Sequence, residues 1–410
     1  MLLIRALPVS AYAFVVLFFA VGQFVGSAAT GGVRMRYLRV EAERISRGEQ
    51  PRLGFASVAM GGLVLIASVG MLGWMVGAIT GIGTPDQRIA FVVTCTIFSA
   101  GQAVVDLSTA HYQAGLTFMK GGIVNVGRSL GLLLAAAVAT LIFSASGAVT
   151  AASLAATSAC VGLLVAVRII RGTSREHRRP RSARFGFDAE ASWLTIYSLV
   201  AAGFATVDVF IVAIILGGRD VAAFGAAQRY YAIVLGAVPA LEAVLRVRTS
   251  QRDIMDSRQL QMTTMHNWLK KTTVPAVVLT GAVALICPLV IPVIDGGRYP
   301  TSIPVFQILL IGALAYYLAM PGLNLLMAQG RYGLLALIFG LAFATNAVGD
   351  FVFGSAIGLV GIAAVATAVL VALSIAEVVL AIRGPSCDRT SQAQFGKLVI
   401  PHSVSSLRAD

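Results

Sequence analysis

The chain reads as an all-α integral membrane protein of two six-helix bundles related by an internal repeat, with the first helix absent and eleven spans visible. Three observations predict this. Of 410 residues 58% are hydrophobic and only 12% charged, which excludes a water-soluble domain of that length. Apolar runs of about 20 residues, enough to cross a bilayer core as a helix, recur along the whole chain. Finally, a shift of 212 residues lays the sequence on itself: Phe18, Phe19, Ala20 and Val21 fall on Tyr230, Tyr231, Ala232 and Ile233, Arg34 and Arg36 on Arg246 and Arg248, and Arg171 and Gly172 on Arg383 and Gly384. In so apolar a chain, duplication over half the length marks two similar helical bundles that face each other.

The predicted spans are 10–30, 54–78, 89–110, 123–144, 147–170, 192–216, 221–245, 273–294, 303–327, 333–353 and 358–382. They divide the chain into an N-terminal bundle (1–170), a basic linker (171–191), a C-terminal bundle (192–384) and a tail (385–410). Placing every second connection in the cytoplasm gathers 25 of the basic residues there, including the runs Arg34 to Arg52, Arg168 to Arg184 and Arg246 to Lys271, and the tail. Only Arg5, Arg88, Arg219 and Arg298 fall outside, and Arg128 and Arg229 lie within spans. The positive-inside rule therefore puts the C-terminus in the cytoplasm. The expected location is a bacterial inner membrane; 27 Arg to 4 Lys is a ratio common in GC-rich bacterial genomes.

Eleven is odd for two equal halves. The repeat accounts for it, because the counterpart of span 192–216 would begin about 20 residues before Met1. Either the true start lies upstream, which is the favoured expectation, or a helix has been lost. The N-terminal MLLIRALPV is too short for a signal peptide and lacks its charged flank and cleavage site. The linker RGTSREHRRPRSARFGFDAEAS is expected to be solvated, with membrane lipid headgroups as weakly specified partners. The polar stretch 250–271 is expected to lie along the interface.

Ionisable groups within spans are costly and mark functional candidates. Asp208 lies eight residues before Leu216 and Arg229 about nine after the next span begins, so an antiparallel hairpin places both about 12 Å deep. A pair is the expectation, either neutralising two charges or lining a transport cavity; Arg229 stands where the first repeat has Leu17, which favours function. Asp106 and Arg128 form a second candidate pair near the cytoplasmic boundary, with snorkelling as the plainer reading. Asp350 and Asn346, one helical turn apart, form a polar stripe suited to a titratable or cation-binding group. Glu242, Glu377 and His111 are expected to be interfacial. Six prolines in or beside second-half spans suit bending points or ordinary packing kinks, and small residues such as those at 358–372 suit close helix packing.

The four cysteines have no paired spacing and read as packing residues, without a disulfide or metal site. Basic residues dispersed among short loops do not make a nucleic-acid surface. The sequence contains neither a phosphate-cradling loop nor a GxSxG elbow, so no enzyme and no cofactor is expected.

Specific segments carry a resemblance. IDGGRYPTSIPVFQILLIGALAYY (294–317), LLMAQGRYGLLALIFG (325–340) and GLVGIAAVATAVL (358–370), with the hairpin 221–248, resemble the polysaccharide transporters and O-antigen (Wzx-type) flippases of the multidrug/oligosaccharidyl-lipid/polysaccharide exporter superfamily. The resemblance implies twelve helices around a central cavity. It also implies transport of a polyprenyl-diphosphate-linked oligosaccharide, an O-antigen, exopolysaccharide or capsule unit, from inner to outer leaflet. Arg229, Arg128 and Asp208 would be the cavity residues, and Asp208, Asp350 and Asn346 the ion-coupling ones. Partners would be the lipid-linked oligosaccharide, membrane lipids and the glycan polymerase and export machinery. A cation-coupled exporter of drugs or small solutes is the alternative reading. A membrane glycan polymerase or ligase is disfavoured by the short outer connections.

Overall fold

The computed structural model describes residues 2–46, 85–114, 117–141, 146–174, 189–238, 241–242, 245 and 258–383. All elements among them are helical. In chain order they are α1 (Leu2–Ala6), α2 (Val9–Ser46), α3 (Pro85–Ala114), α4 (Phe118–Leu141), α5 (Gly147–Ser174), α6 (Ala189–Phe204), α7 (Val207–Ile215), α8 (Gly218–Val234), α9 (Arg258–Asp295), α10 (Ser302–Ala328), α11 (Tyr332–Ile357) and α12 (Leu359–Arg383). A 3₁₀ turn, Leu235–Ala237, follows α8. The predicted span 54–78, most of the linker and the tail lie outside the described residues.

Helices form because hydrocarbon offers no partner for a free backbone group. Side-chain hydroxyls obey the same constraint by turning back on their own helix: Thr30 donates to the Gly26 carbonyl at 2.7 Å, Ser99 to Cys95 at 2.7 Å and Thr109 to Val105 at 2.9 Å. The turns are correspondingly short. Between α11 and α12 a single residue, Gly358, sits at φ 76°, a left-handed conformation that a side chain would strain.

The duplication is visible in the helices. A shift of 212 carries the start of α5 at Gly147 onto Leu359, where α12 begins, and α3 and α4 onto α10 and α11 to within a few residues. The most extensively packed pair of the first half, α3 with α5, corresponds to the most extensively packed pair of the second, α10 with α12. Such equivalence arises when one packing solution serves both copies. Between the halves, α2 packs on α6 and α8, and one apolar cluster joins Phe18 and Phe98 to Val212, Phe224 and Phe306.

Helices α4 and α9 are peripheral. Met119, Ile123, Leu130 and Leu134 face outward on α4, as do Leu285, Leu289 and Val293 on α9, stripes at the 3–4 residue spacing that a lipid-facing helix requires. Eight described helices are long and apolar enough to cross a membrane.

The structure corrects three expected elements. Span 192–216 is broken: α6 and α7 meet at Ala205 and Thr206 with a bend of 42°, and Thr206 covers the break by donating to the Ala202 carbonyl at 2.9 Å. Span 221–245 changes from α to 3₁₀ at Leu235. Residues 258–271 do not form a separate interfacial segment. They are the first turns of the 38-residue α9, because nothing between Arg258 and the apolar run breaks the helix. Helix α5 continues to Ser174.

Candidate functional site

A cavity of about 550 Å³ lies within the second half, walled by α6, α7, α8, α10, α11 and α12 and bounded on one side by α2 of the first half. Its surface is largely apolar and aromatic, with Phe19, Phe204, Tyr231 and Phe339 among the lining residues. Among the described residues the charged groups that reach it are Arg229, Asp208, Glu242 and Glu377. A concave, mostly apolar space with a small number of placed polar groups is the usual form of a small-molecule site.

Asp208 stands on the first turn of α7, just past the break. Its Oδ1 accepts a hydrogen bond of 2.5 Å from the Asn346 amide, and the same amide points at Asp350 Oδ2, 3.5 Å away. The two carboxyl groups are themselves within hydrogen-bonding reach. All three residues are at least nine-tenths buried, and Asn346 Oδ1 and Asp350 Oδ1 have no hydrogen-bond partner. Asn346 and Asp350 meet because four residues is one helical turn, as the sequence indicated; Asp208 joins them because α7 packs against α11. This trio presents oxygen atoms and two acidic groups with one amide donor, a donor set suited to a proton or a hard monovalent cation.

The expected Asp208–Arg229 pair does not form. Arg229 instead lies over the Phe19 ring, 4.2 Å from its centroid, and beside the Tyr12 hydroxyl without a well-formed hydrogen bond to it. Equal depth on neighbouring helices proved insufficient. Helix α8 turns this position toward α2 of the other half, and α7 turns Asp208 toward α11. Both side chains nevertheless line the same cavity.

Arg128 is elsewhere. Its guanidinium sits over Phe98 at 5.6 Å and within the field of Asp106, whose oxygens accept from Gln102 at 3.0 Å each. It is not among the cavity-lining residues, because α4 packs on the outer side of α3 and α5, away from the seam between the halves.

Glu242 and Glu377, expected at the interface, are in the cavity. Glu377 is 2% exposed, and the two carboxylates act on one another. Tyr316 donates its hydroxyl to Glu242 at 2.8 Å. Hydropathy placed them near the ends of spans, and that signal carries no information about which way a side chain turns.

Beyond Arg229, at the end bearing the α7–α8 and α9–α10 turns, the halves are in contact. The Arg298 guanidinium donates to the Leu7 carbonyl at 3.0 Å, and the Tyr12 and Tyr299 rings lie 5.8 Å apart. Here the hydroxyls of Tyr12, Tyr230, Tyr299 and Ser302 and one oxygen of Asp295 are buried without partners.

The arrangement of helices around this cavity has counterparts among solved structures. The lipid II flippase MurJ in an inward closed conformation superposes with a TM-score of 0.67 at 13% identity, over 98% of this chain and 89% of that one. The fold is that of the MOP-superfamily transporters. A multidrug resistance MATE family transporter of that superfamily in an inward-facing conformation gives 0.67 at 13% identity, covering 97% and 94% of the two chains. An outward-facing MATE transporter gives 0.58 at 13%, covering 94% and 86%. No family model and no curated protein matches the sequence.

Proposed function

We propose that this protein is an alternating-access transporter that moves the polar head of a polyprenyl-diphosphate-linked oligosaccharide from the inner to the outer leaflet of a bacterial inner membrane. The observation that carries the reading is Arg229, the one basic side chain among the described residues that line the cavity, set over the Phe19 ring of the opposite half in walls that are mostly apolar and aromatic. A charge-assisted contact from Arg to phosphate in a low-dielectric site is strong and directional. The lipid tail would remain in the bilayer while the head occupies the cavity. The Asp208, Asn346 and Asp350 trio would take up the coupling proton or cation, and its burial beside the α6–α7 break gives ion binding a route to the bending of that span. Membrane lipids, a glycan polymerase and export machinery are the partners this role entails, and a cytoplasmic C-terminus is the topology.

The test is transport by Arg229→Ala at matched expression. Loss of one charge-assisted contact predicts about a 10- to 100-fold fall in flipping, seen as loss of surface glycan. Unchanged surface glycan would sink the assignment.

One observation favours a second reading, export of a drug or small solute coupled to a cation. The cavity exposes the carboxylates of Asp208, Glu242 and Glu377 beside its single described arginine, and acidic walls suit a cationic cargo. In this case deletion of the gene leaves surface glycan intact and raises sensitivity to lipophilic cations.

A further inference from the structure

The ion-coupling trio and Arg229 leave part of the cavity unexplained: the end bounded by Glu242, Tyr316 and Glu377. Glu377 is nearly fully buried yet lines the cavity, and no basic side chain among the described residues neutralises it. Its charged neighbour is another carboxylate, Glu242. Tyr316 lies beside both. Around them Tyr197 and Phe339 stand edge to face, 5.0 Å apart at 89°, and Phe204 packs on Phe339 at 6.3 Å; all three line the same cavity.

We propose that this end is a sugar subsite, which receives the hydroxyl groups of the cargo's glycosyl portion while the diphosphate rests at Arg229. The proposal rests on the flippase reading and extends it. A buried carboxylate needs donors, and a glycosyl ring supplies several at once, enough to serve Glu377 without adding net charge. Glu242 already accepts a neutral hydroxyl, that of Tyr316, which is the chemistry a sugar hydroxyl would repeat. The aromatic rings complete the match, since the polarised C–H groups of a sugar face favour the electron-rich face of an aromatic ring. The polarity of the cavity also runs in the right order. Arg229 and Glu242 are thirteen positions apart in the sequence and both line the cavity, so an anionic group at one and a polyhydroxylated group at the other fit a single extended head.

The experiment uses the full-length protein in lipid nanodiscs and two probes: polyprenyl diphosphate without sugar, and the same lipid carrying one hexose. Wild type should bind the hexose-bearing lipid about 10-fold more tightly, the worth of a hydrogen bond or two to charged acceptors. Glu377→Gln and Glu242→Gln should each remove most of that difference and leave affinity for the bare lipid unaltered. Arg229→Ala should weaken both lipids alike. Equal wild-type affinity for the two lipids overturns the subsite and spares the flippase reading, as does an equal effect of Glu377→Gln on both. Binding of neither lipid overturns the flippase reading and the subsite together. Tetraphenylphosphonium bound in place of the lipids, and lost in Glu377→Gln, assigns the carboxylates to a cationic cargo instead. Should Glu377→Gln fail to fold, Glu242→Gln and Glu377→Asp decide the same question.

Discussion

Replacing Asp350 by Asn tests the coupling role proposed for Asp208, Asn346 and Asp350 directly. Asp208 and Asp350 lie within hydrogen-bonding reach of each other, bridged by one amide. If both were charged, their repulsion at a separation of about 4 Å and an effective dielectric of about 20 would be about 4 kcal/mol. A single positive charge, proton or hard cation, therefore has to accompany the pair, and the attraction that holds it is of the same order. Asp350→Asn keeps the shape and one amide-to-carboxylate contact but removes one charge, so cation affinity should fall by about two to three powers of ten. The assay is thermal unfolding of the purified protein at fixed ionic strength as Na⁺ replaces choline, repeated at several pH values. Wild type should gain stability as the ion or proton fills the site, by about 2.7 kcal/mol at one hundred times the dissociation constant; Asp350→Asn should show a flat response over the same range. A variant whose stability tracks Na⁺ or pH just as wild type does would refute the reasoning, since the charge pair would then not be what binds.

Two other substitutions bear on the architecture. Arg298→Ala removes the hydrogen bond to the Leu7 carbonyl that spans the halves, worth about 1 kcal/mol, so a cysteine at the buried position Tyr299 should react about five times faster with a membrane-impermeant maleimide; an unchanged rate would mean that this contact does not hold the face closed. Arg128→Gln loses the stacking on Phe98, about 0.5–1 kcal/mol, and the attraction of Asp106, both away from the cavity, and should leave transport near the wild-type level. A defect as severe as that of Arg229→Ala would require Arg128 to meet the cargo after all.

How far the site could be read in advance depended on whether its geometry is local. Asn346 and Asp350 belong to one helix at one-turn spacing, and the amino-acid order alone put them together. Arg229 was marked by its cost in a span and by its difference from Leu17 in the first repeat, and it does line the cavity. Its partner was misassigned because depth was the only coordinate available. Asp208 and Arg229 share a level, but one turns toward α11 and the other toward α2. Glu377 shows the same limit in reverse: a position near the end of an apolar run looks interfacial, yet its azimuth on α12 turns it into the cavity.

By itself, the sequence determined that the chain is helical and membrane-spanning, where most spans begin and end, and that its halves repeat at 212 residues. These follow from hydrophobic length and local spacing, which are properties along one dimension. Only the tertiary structure decided which face of each helix meets the cavity, that α6 and α7 bend at Thr206, and that Arg128 lies away from the seam. Those depend on the rotation of each helix about its axis and on its neighbours, which packing across the two halves sets and linear order does not contain.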